Sequence, residues 1–136
     1  MSNFDYLIDT SVWVDFFRGK SEAIKNRIME MISNNRIYYN GIIIHELLTG
    51  ARSKKQTEFI IDSFSGLKYL EMDQGFFIQS SRIASQLRSS GINLPMTDIM
   101  IATHAKLNNL IIFAKDKHFE AMGQRIGFQY DIIVNL

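Results

Sequence analysis

Hydrophobic residues recur along this chain with two spacings, which divide it into short strands and amphipathic helices. Short continuous or alternating apolar runs predict strands, whereas apolar residues three or four positions apart predict helices. Strands are predicted at 6–8, 36–39, 67–70, 110–114 and 131–134. Helices are predicted at 21–33, 42–52, 54–65, 74–90 and 97–108, and another after Asp9, where Val12, Trp13, Phe16 and Phe17 form a helix-like pattern.

The stretch from Ile42 to Arg52 has a start that fits two structures. Its three consecutive isoleucines fit a strand, but the following segment, His45 to Leu48, favours a helix, and we predict a helix. The alternation of strands and helices then predicts an α/β sandwich with a mostly parallel central sheet. Right-handed crossovers put the carboxyl ends of such strands on one edge of the sheet.

Composition narrows the class of protein. The chain has 136 residues, of which 46% are hydrophobic and 21% charged, so we expect one folded domain over residues 1–136. It contains no cysteine, which excludes disulfides, thiolate zinc sites and cysteine nucleophiles. No apolar run approaches the roughly 20 residues needed to cross a bilayer, and residues 1–5 lack the pattern of a signal peptide. We therefore expect a cytoplasmic protein without a membrane partner.

Four acidic residues are hemmed in by apolar sequence: Asp9, Glu46, Asp98 and Asp116. Asp9 follows the first strand and Asp116 the fourth, so both should emerge at the edge where open parallel sheets bind ligands. Asp98 opens an apolar helix, and Glu46 lies between isoleucines and leucines. Unpaired buried carboxylates are costly, so such groups are paired, protonated or bound to metal. The alternative is that each acid caps a helix independently. The other acids, Asp15 among them, are expected at turns, edges or the surface.

Four carboxylates in one pocket would need a compensating charge. Two of them about 4 Å apart repel by roughly 4 kcal/mol at a dielectric typical of protein surfaces. Hard oxygen ligands suit Mg²⁺ or Mn²⁺, which accept substrate phosphates as further ligands. One or two such ions could position a water for attack on a phosphodiester.

Four segments of the chain are each too common to identify a family, but their occurrence together, in this order, is a specific signal. They are Ile8-Asp9-Thr10-Ser11-Val12-Trp13, Glu46 with Leu47-Leu48 and Gly50, Asp98-Ile99-Met100-Ile101-Ala102, and Phe113-Ala114-Lys115-Asp116-Lys117-His118-Phe119. Together they resemble the PIN-domain family, and in particular its single-domain members, the VapC toxins of bacterial toxin–antitoxin pairs. The similarity covers nearly the whole chain.

The resemblance implies a PIN-like three-layer α/β/α sandwich and a metal-dependent endoribonuclease, the toxin of a type II pair, using Mg²⁺ or Mn²⁺. The matching acidic ligands are Asp9, Glu46, Asp98 and Asp116, and Thr10 or Ser11 would support them. We expect Asp9 and Asp116 to hold the principal ion and the other two acids to complete the pocket. A metal-activated water would cleave transfer or ribosomal RNA and leave a 5′-phosphate. A homodimer and a cognate VapB-like antitoxin that blocks the site are also implied.

One position departs from the family's pattern. Where the family usually has a threonine or serine two residues before its last acid, this chain has Ala114. The missing hydroxyl lowers the expected rate, although Thr10 or Thr97 could replace it. It also supports an alternative, a catalytically inactive PIN-like module that binds RNA or a protein partner.

Histidines, basic residues and aromatics give weaker signals. His45-Glu46 is not a zinc-protease motif, because Thr49 stands where the second histidine would be. His104 is expected to be satisfied or exposed, and His118 to lie at the surface. Small basic clusters that could hold RNA phosphates are Arg52, Lys54 and Lys55, and Lys115, Lys117 and Arg125. The aromatic group Trp13, Phe16 and Phe17 is expected in the core or at a dimer interface.

Overall fold

The computed structural model describes residues 4–133, which form five short strands and seven helices. The strands are β1 (Tyr6–Ile8), β2 (Ile37–Asn40), β3 (Lys68–Leu70), β4 (Ile111–Ala114) and β5 (Gln129–Ile132). The helices are α1 (Thr10–Arg18), α2 (Glu22–Ser33), α3 (Gly41–Thr49), α4 (Lys54–Phe64), α5 (Gln74–Ser89), α6 (Met96–Asn108) and α7 (His118–Ile126). The last predicted strand, 131–134, is displaced: β5 begins two residues earlier, and Val134 lies outside the described residues.

The five strands all run parallel, in the order β3-β2-β1-β4-β5. This confirms the predicted α/β fold with a mostly parallel sheet. β1 is central, and its Tyr6 is in register with Ile37 of β2 and Ile111 of β4. The chain leaves β1 toward β2 and leaves β4 toward β5, in opposite directions. The carboxyl ends of β1 and β4 therefore flank a crevice of the kind in which open α/β sheets bind ligands.

Helices cover both faces of this sheet and make three layers. Right-handed crossovers between parallel strands put α1 to α4 on one face and α5 to α7 on the other. The helix contacts agree, since α1 packs on α2 and α3, whereas α5, α6 and α7 pack on one another. Helices α3 and α6, from opposite layers, also meet.

Polar side chains determine where several helices begin. Asn40, at the end of β2, accepts a hydrogen bond from the Ile43 N–H (3.0 Å) and so caps α3. This cap starts the helix ahead of the three isoleucines, which confirms helix rather than strand for this segment. Ser21, Ser53 and Asp73 cap α2, α4 and α5 in the same way.

The core lies on both faces of the central strands, whose residues read as continuous apolar runs because they are covered on both sides. Trp13 is 1% exposed and packs against Phe64 and Phe17, so the expected core position of this residue is confirmed. Phe16 and Phe17 are only half-buried. Within residues 4–133, every helix is too short or too polar to cross a membrane.

Candidate active site

Asp9 lies at the carboxyl end of β1, at the base of the crevice. Its backbone N–H donates to the Phe113 carbonyl of β4 (3.0 Å), so the two central strands are still joined at this point. Asp9 is 8% exposed, and its side chain makes no regular N-cap bond to α1. The backbone N–H groups of Thr10 and Ser11 do interact with its carboxyl, and the Ser11 hydroxyl donates to Asp9 Oδ2 (2.8 Å).

Burial dominates the electrostatics of Asp9. The pKa of this carboxyl is raised from 3.8 to about 6: burial and, less strongly, the charge of Asp98 raise it, whereas the hydrogen bonds from the Ser11 hydroxyl and from the backbone of Thr10 and Ser11 lower it. The influence of Asp98 means that the first strand and the first turn of α6 bring their acids close together. A carboxyl of this kind is held in a high-energy charged state at neutral pH unless a cation joins it.

Asp98, Asp116 and His118 form a close group of possible metal-ligand atoms. His118 Nδ1 lies 3.4 Å from Asp98 Oδ2 and 3.2 Å from Asp116 Oδ2. One ligand atom from each of the three residues lies within 4.8 Å of the others. Burial raises the pKa of Asp98; the His118 hydrogen bond opposes this rise, and the Asp116 charge adds to it. His118 is half-exposed, as expected from the sequence, but its contact with both acids was not predicted.

Glu46 reaches the site through a hydroxyl rather than through another acid. It is half-buried on α3, and Thr10 Oγ1 donates to Glu46 Oε1 (2.8 Å). Thr10 directly follows Asp9, so both hydroxyls of the Asp9-Thr10-Ser11 segment contact predicted site acids. The group of three close ligand atoms includes neither Asp9 nor Glu46.

Within residues 4–133, lysine and arginine form no ion pair with these four acids. The ion pairs that Lys and Arg make within residues 4–133 join Arg27 to Asp131, Arg36 to Asp5 and Lys115 to Asp15. In this part of the chain, the cationic side chain that touches the site acids is His118, and only when it is protonated.

Asp15 is the acid whose environment the sequence did not reveal. Expected at a turn, edge or surface, it is 7% exposed on α1 and pairs with Lys115 Nζ at 2.6 Å. The two residues are far apart in sequence, so no local pattern signals the pair. Lys115, proposed from the sequence as a phosphate ligand, is therefore engaged within the protein.

A groove extends from Glu46 between α1, α3 and α4. Its volume is about 830 Å³, and Phe17 and Phe59 are among the apolar side chains that line it. Arg18, Arg52 and Lys55 line it, so its charge is opposite to that of the acidic crevice. Two members of the predicted basic cluster thus face a common space beside a site acid.

The donor set of the crevice suits a hard divalent cation. Carboxylate oxygens match the ligands of Mg²⁺ and Mn²⁺, and Mg²⁺ binds through few protein groups while keeping waters, whereas the imidazole of His118 is a ligand more typical of zinc. The buried, uncompensated carboxyl of Asp9 is a second observation in favour of a cation. The residues present therefore fit such an ion.

The fold and this acid-lined crevice match a known class. The sequence profile of the PIN domain matches residues 6–124, and the chain belongs to the PIN domain family. Ribonuclease VapC1 of Methanocaldococcus jannaschii is 30% identical over 118 residues, which cover 85% of this chain and 79% of that protein. The tRNA(fMet)-specific endonuclease VapC of Shigella flexneri is 24% identical, over 87% of this chain and 92% of its own length.

A solved structure has the same fold as this chain. VapBC2 from Rickettsia felis, bound to a DNA fragment from their promoter, superimposes with a TM-score of 0.80 at 18% identity. The match covers 96% of this chain and 100% of the other. The PIN-like three-layer architecture expected from the sequence is thereby confirmed.

Proposed function

We propose that this chain is a divalent-metal-dependent endoribonuclease and the toxin of a type II toxin–antitoxin pair. The observation that carries the proposal is the gathering of Asp9, Asp98 and Asp116 at the ends of β1, α6 and β4 without a lysine or arginine partner among residues 4–133. Membership of the PIN domain family and the names of the VapC relatives support it.

Asp98, Asp116 and His118 would hold the ion, with Asp9 on the buried side and Glu46 completing the pocket. When bound, a divalent cation supplies positive charge that offsets the carboxylates and the phosphate oxygens of a substrate. The Ser11 hydroxyl donates to Asp9 Oδ2 and the Thr10 hydroxyl donates to Glu46 Oε1, so each of these acids is held by a hydroxyl of the segment that follows β1. The two hydroxyls thus orient the carboxylates toward the crevice.

The proposed reaction is hydrolysis of an RNA phosphodiester. The oxygen of a water forms a bond to phosphorus, its proton passes to a pocket carboxylate, and the bond from phosphorus to O3′ breaks. The leaving O3′ takes up a proton from solvent, so the products are a 3′-hydroxyl and a 5′-phosphate. The ribose 2′-hydroxyl takes no part, and a 2′,3′-cyclic phosphate would contradict the scheme.

Arg52 and Lys55 would bind RNA phosphates in the groove beside Glu46, because phosphate contacts fix a nucleic acid without reading its sequence. We also propose a VapB-like antitoxin that covers this groove and the crevice, as a partner of the kind found in the VapBC2 complex. A homodimer remains part of the proposal.

The test is cleavage of cellular RNA after brief induction, with the new ends mapped, beside Asp9→Asn and the exposed-surface control Asp62→Asn. Cleavage with 5′-phosphate ends should require Mg²⁺ or Mn²⁺, fall roughly 100-fold or more in Asp9→Asn and persist in Asp62→Asn. Equal activity of wild type and Asp9→Asn would refute the proposal.

The inactive-module alternative has no structural observation in its favour. Ala114 is completely buried in the hydrophobic core, and Thr10 and Ser11 already supply hydroxyls to the site acids. RNA binding without cleavage in the presence of Mn²⁺ would revive this alternative.

A further inference from the structure

A buried polar link joins the two helices that carry Glu46 and Asp98, away from the crevice itself. Asn40 is completely buried at the start of α3, and His104 is 3% exposed on α6. Asn40 Nδ2 lies 3.0 Å from His104 Nδ1. Since α3 and α6 belong to helical layers on opposite faces of the sheet, this contact joins one layer to the other.

The hydrogen-bonding groups in this link fit one arrangement. Asn40 Oδ1 accepts from the Ile43 N–H, which can only donate, so the amide group of Asn40 faces His104 and donates to Nδ1. His104 Nε2 lies 3.1 Å from the Glu71 carbonyl, which can only accept, so Nε2 carries the hydrogen. His104 is therefore a neutral imidazole. Burial, the main influence on this histidine, lowers its pKa in agreement.

We propose that Asn40 and His104 are positioning residues of the acidic site. Their bond fixes α3 against α6 and thereby sets the placement of Glu46 relative to Asp98. The inference rests on the proposed function, because it concerns the geometry of the same site.

The spacing along each helix explains how the bond acts at a distance. Glu46 follows Asn40 by six residues (40 to 46), and His104 follows Asp98 by six (98 to 104), so each linking residue is on or directly before the rigid helix of one acid. A helix rises 1.5 Å and turns about 100° per residue. A slip of α3 by one residue would therefore carry Glu46 away from Thr10 and from the crevice.

Apolar contacts alone would hold this register less strictly. A buried amide or imidazole that loses its partner is left unsatisfied, so a satisfied polar link selects one relative position of the two helices. Phe76 lies against the imidazole, with ring centroids 4.2 Å apart, and closes the space around it. The link is thus packed as well as bonded.

Four variants separate the link from helix capping and from general stability. Asn40→Ser keeps a hydroxyl that can cap α3 but is too short to reach His104. His104→Leu removes the acceptor, whereas His104→Asn offers a carbonyl oxygen in place of Nδ1. Thr103→Val is the matched control, because Thr103 is equally buried on α6 and bonds to the Ile99 carbonyl of its own helix (2.7 Å).

The first measurement is Mn²⁺ binding by calorimetry, at a temperature where circular dichroism shows each variant folded. Asn40→Ser and His104→Leu should weaken Mn²⁺ binding about tenfold or more, as loss of groups that orient metal ligands does elsewhere. Binding should recover in His104→Asn and stay unchanged in Thr103→Val. In cleavage assays, kcat should fall more than KM rises. In the wild type, ¹⁵N NMR should find the His104 hydrogen on Nε2.

Several outcomes would overturn the positioning role. If Asn40→Ser and Thr103→Val weaken Mn²⁺ binding equally, the link contributes only to general stability. If Mn²⁺ binding does not recover in His104→Asn, the hydrogen bond to Asn40 is not what positions the site. If His104→Leu does not fold, the positioning role is tested by comparing Mn²⁺ binding in Asn40→Ser with Mn²⁺ binding in His104→Asn. A wild-type protein that binds Mn²⁺ but leaves RNA intact contradicts the nuclease alone, whereas one that binds no Mn²⁺ contradicts both proposals.

Discussion

At the scale of single residues, Asp9 combines burial with a negative charge that no basic side chain within residues 4–133 offsets. Its pKa of about 6 in the fold exceeds the ordinary 3.8, so the folded protein takes up this proton before the unfolded chain does. Stability therefore falls as the pH rises through the window from about 3.8 to 6, and the loss is complete above it. The loss is roughly 3 kcal/mol, since one pKa unit is worth about 1.4 kcal/mol.

Asp9→Asn should accordingly stabilise the metal-free protein at pH 7.5, by up to roughly 3 kcal/mol, while abolishing activity. Near pH 4 the two proteins should be similar, because Asp9 is then protonated in the folded wild type. Urea unfolding in EDTA at both pH values measures the difference in the free energy of unfolding between the wild type and Asp9→Asn. A wild type as stable as Asp9→Asn at pH 7.5 would contradict the assigned burial cost.

A second residue-scale prediction concerns Gly123 on α7. A Cβ at this position would lie 2.5 Å from the Tyr130 ring and 3.0 Å from the Phe128 carbonyl, so β5 and the loop before it approach the helix too closely for a side chain. Gly123→Ala should lower the free energy of unfolding by roughly 1–3 kcal/mol.

The matched control is Gly75→Ala, also in a helix, where the added Cβ makes only ordinary contact with Asp73. This change should be neutral or slightly stabilising, since alanine favours a helix over glycine by about 1 kcal/mol. Thermal unfolding of both variants provides the comparison, and equal effects would contradict the close packing of α7 on β5.

At the scale of elements, the ion pair of Lys115 and Asp15 joins α1 to the segment that leads from β4 to Asp116. Asp15 is buried, and the Lys115 side chain is 43% exposed, so the lysine lies between the acid and the solvent. Because Lys115 directly precedes Asp116, the pair also anchors the backbone that presents this site acid. The stability of one element contact and the position of one candidate ligand are therefore connected.

Lys115→Met should cost roughly 2–3 kcal/mol, because it leaves the buried Asp15 charge unpaired. Adding Asp15→Asn should recover part of that loss, and Lys117→Met, at an exposed lysine nearby, should be close to neutral. A double-mutant cycle measured by urea unfolding gives the coupling between the two residues. Additive effects of the two substitutions would show that the pair contributes nothing.

Strands and helices were predictable where neighbouring residues carry the sequence pattern that indicates them. The apolar runs of β1 and β4 and the cap-then-apolar pattern of α2 come from neighbouring residues, so the sequence alone indicates them. Helix α7 had no predicted bounds, although Phe119, Met122 and Ile126 form a buried stripe along it; its N-cap residue, Lys117, makes no side-chain cap bond that would signal the start of a helix.

At the candidate site, the sequence indicated the acidic residues but not the groups that contact them in the structure. Asp9, Glu46 and Asp98 stand out because apolar residues lie beside them, and Asp116 stands out because it follows the apolar run of β4 by two residues. The contacts of His118, the Asp15–Lys115 pair and the Asn40–His104 link depend on which elements pack together, and that information is not local. Sequence reasoning therefore found charges in unfavourable surroundings but not the groups that orient or offset them.

At the scale of the whole molecule, cation binding and folding should be coupled. Mn²⁺ at about 100 times its Kd should raise the free energy of unfolding by about 2.7 kcal/mol, because the unfolded chain has no assembled pocket. At pH 5 the gain should shrink, since the pKa of Asp9, about 6, leaves this ligand largely protonated, and burial shifts the pKa of Asp98 in the same direction. Thermal unfolding with Mn²⁺ or EDTA at pH 5 and 7.5 tests this, and an equal gain at both would contradict carboxylate ligation.

The central place of β1 has a consequence for synthesis. Its neighbour β4 lies near the other end of the described chain. The central strand β1 therefore cannot pair with β4, Tyr6 beside Ile111, until most of the chain has been synthesised. Until Asp116 has left the ribosome, a nascent chain carries Asp9, Glu46 and Asp98 without the strand that unites them. The candidate metal site is therefore incomplete in a growing polypeptide until this last acid has emerged.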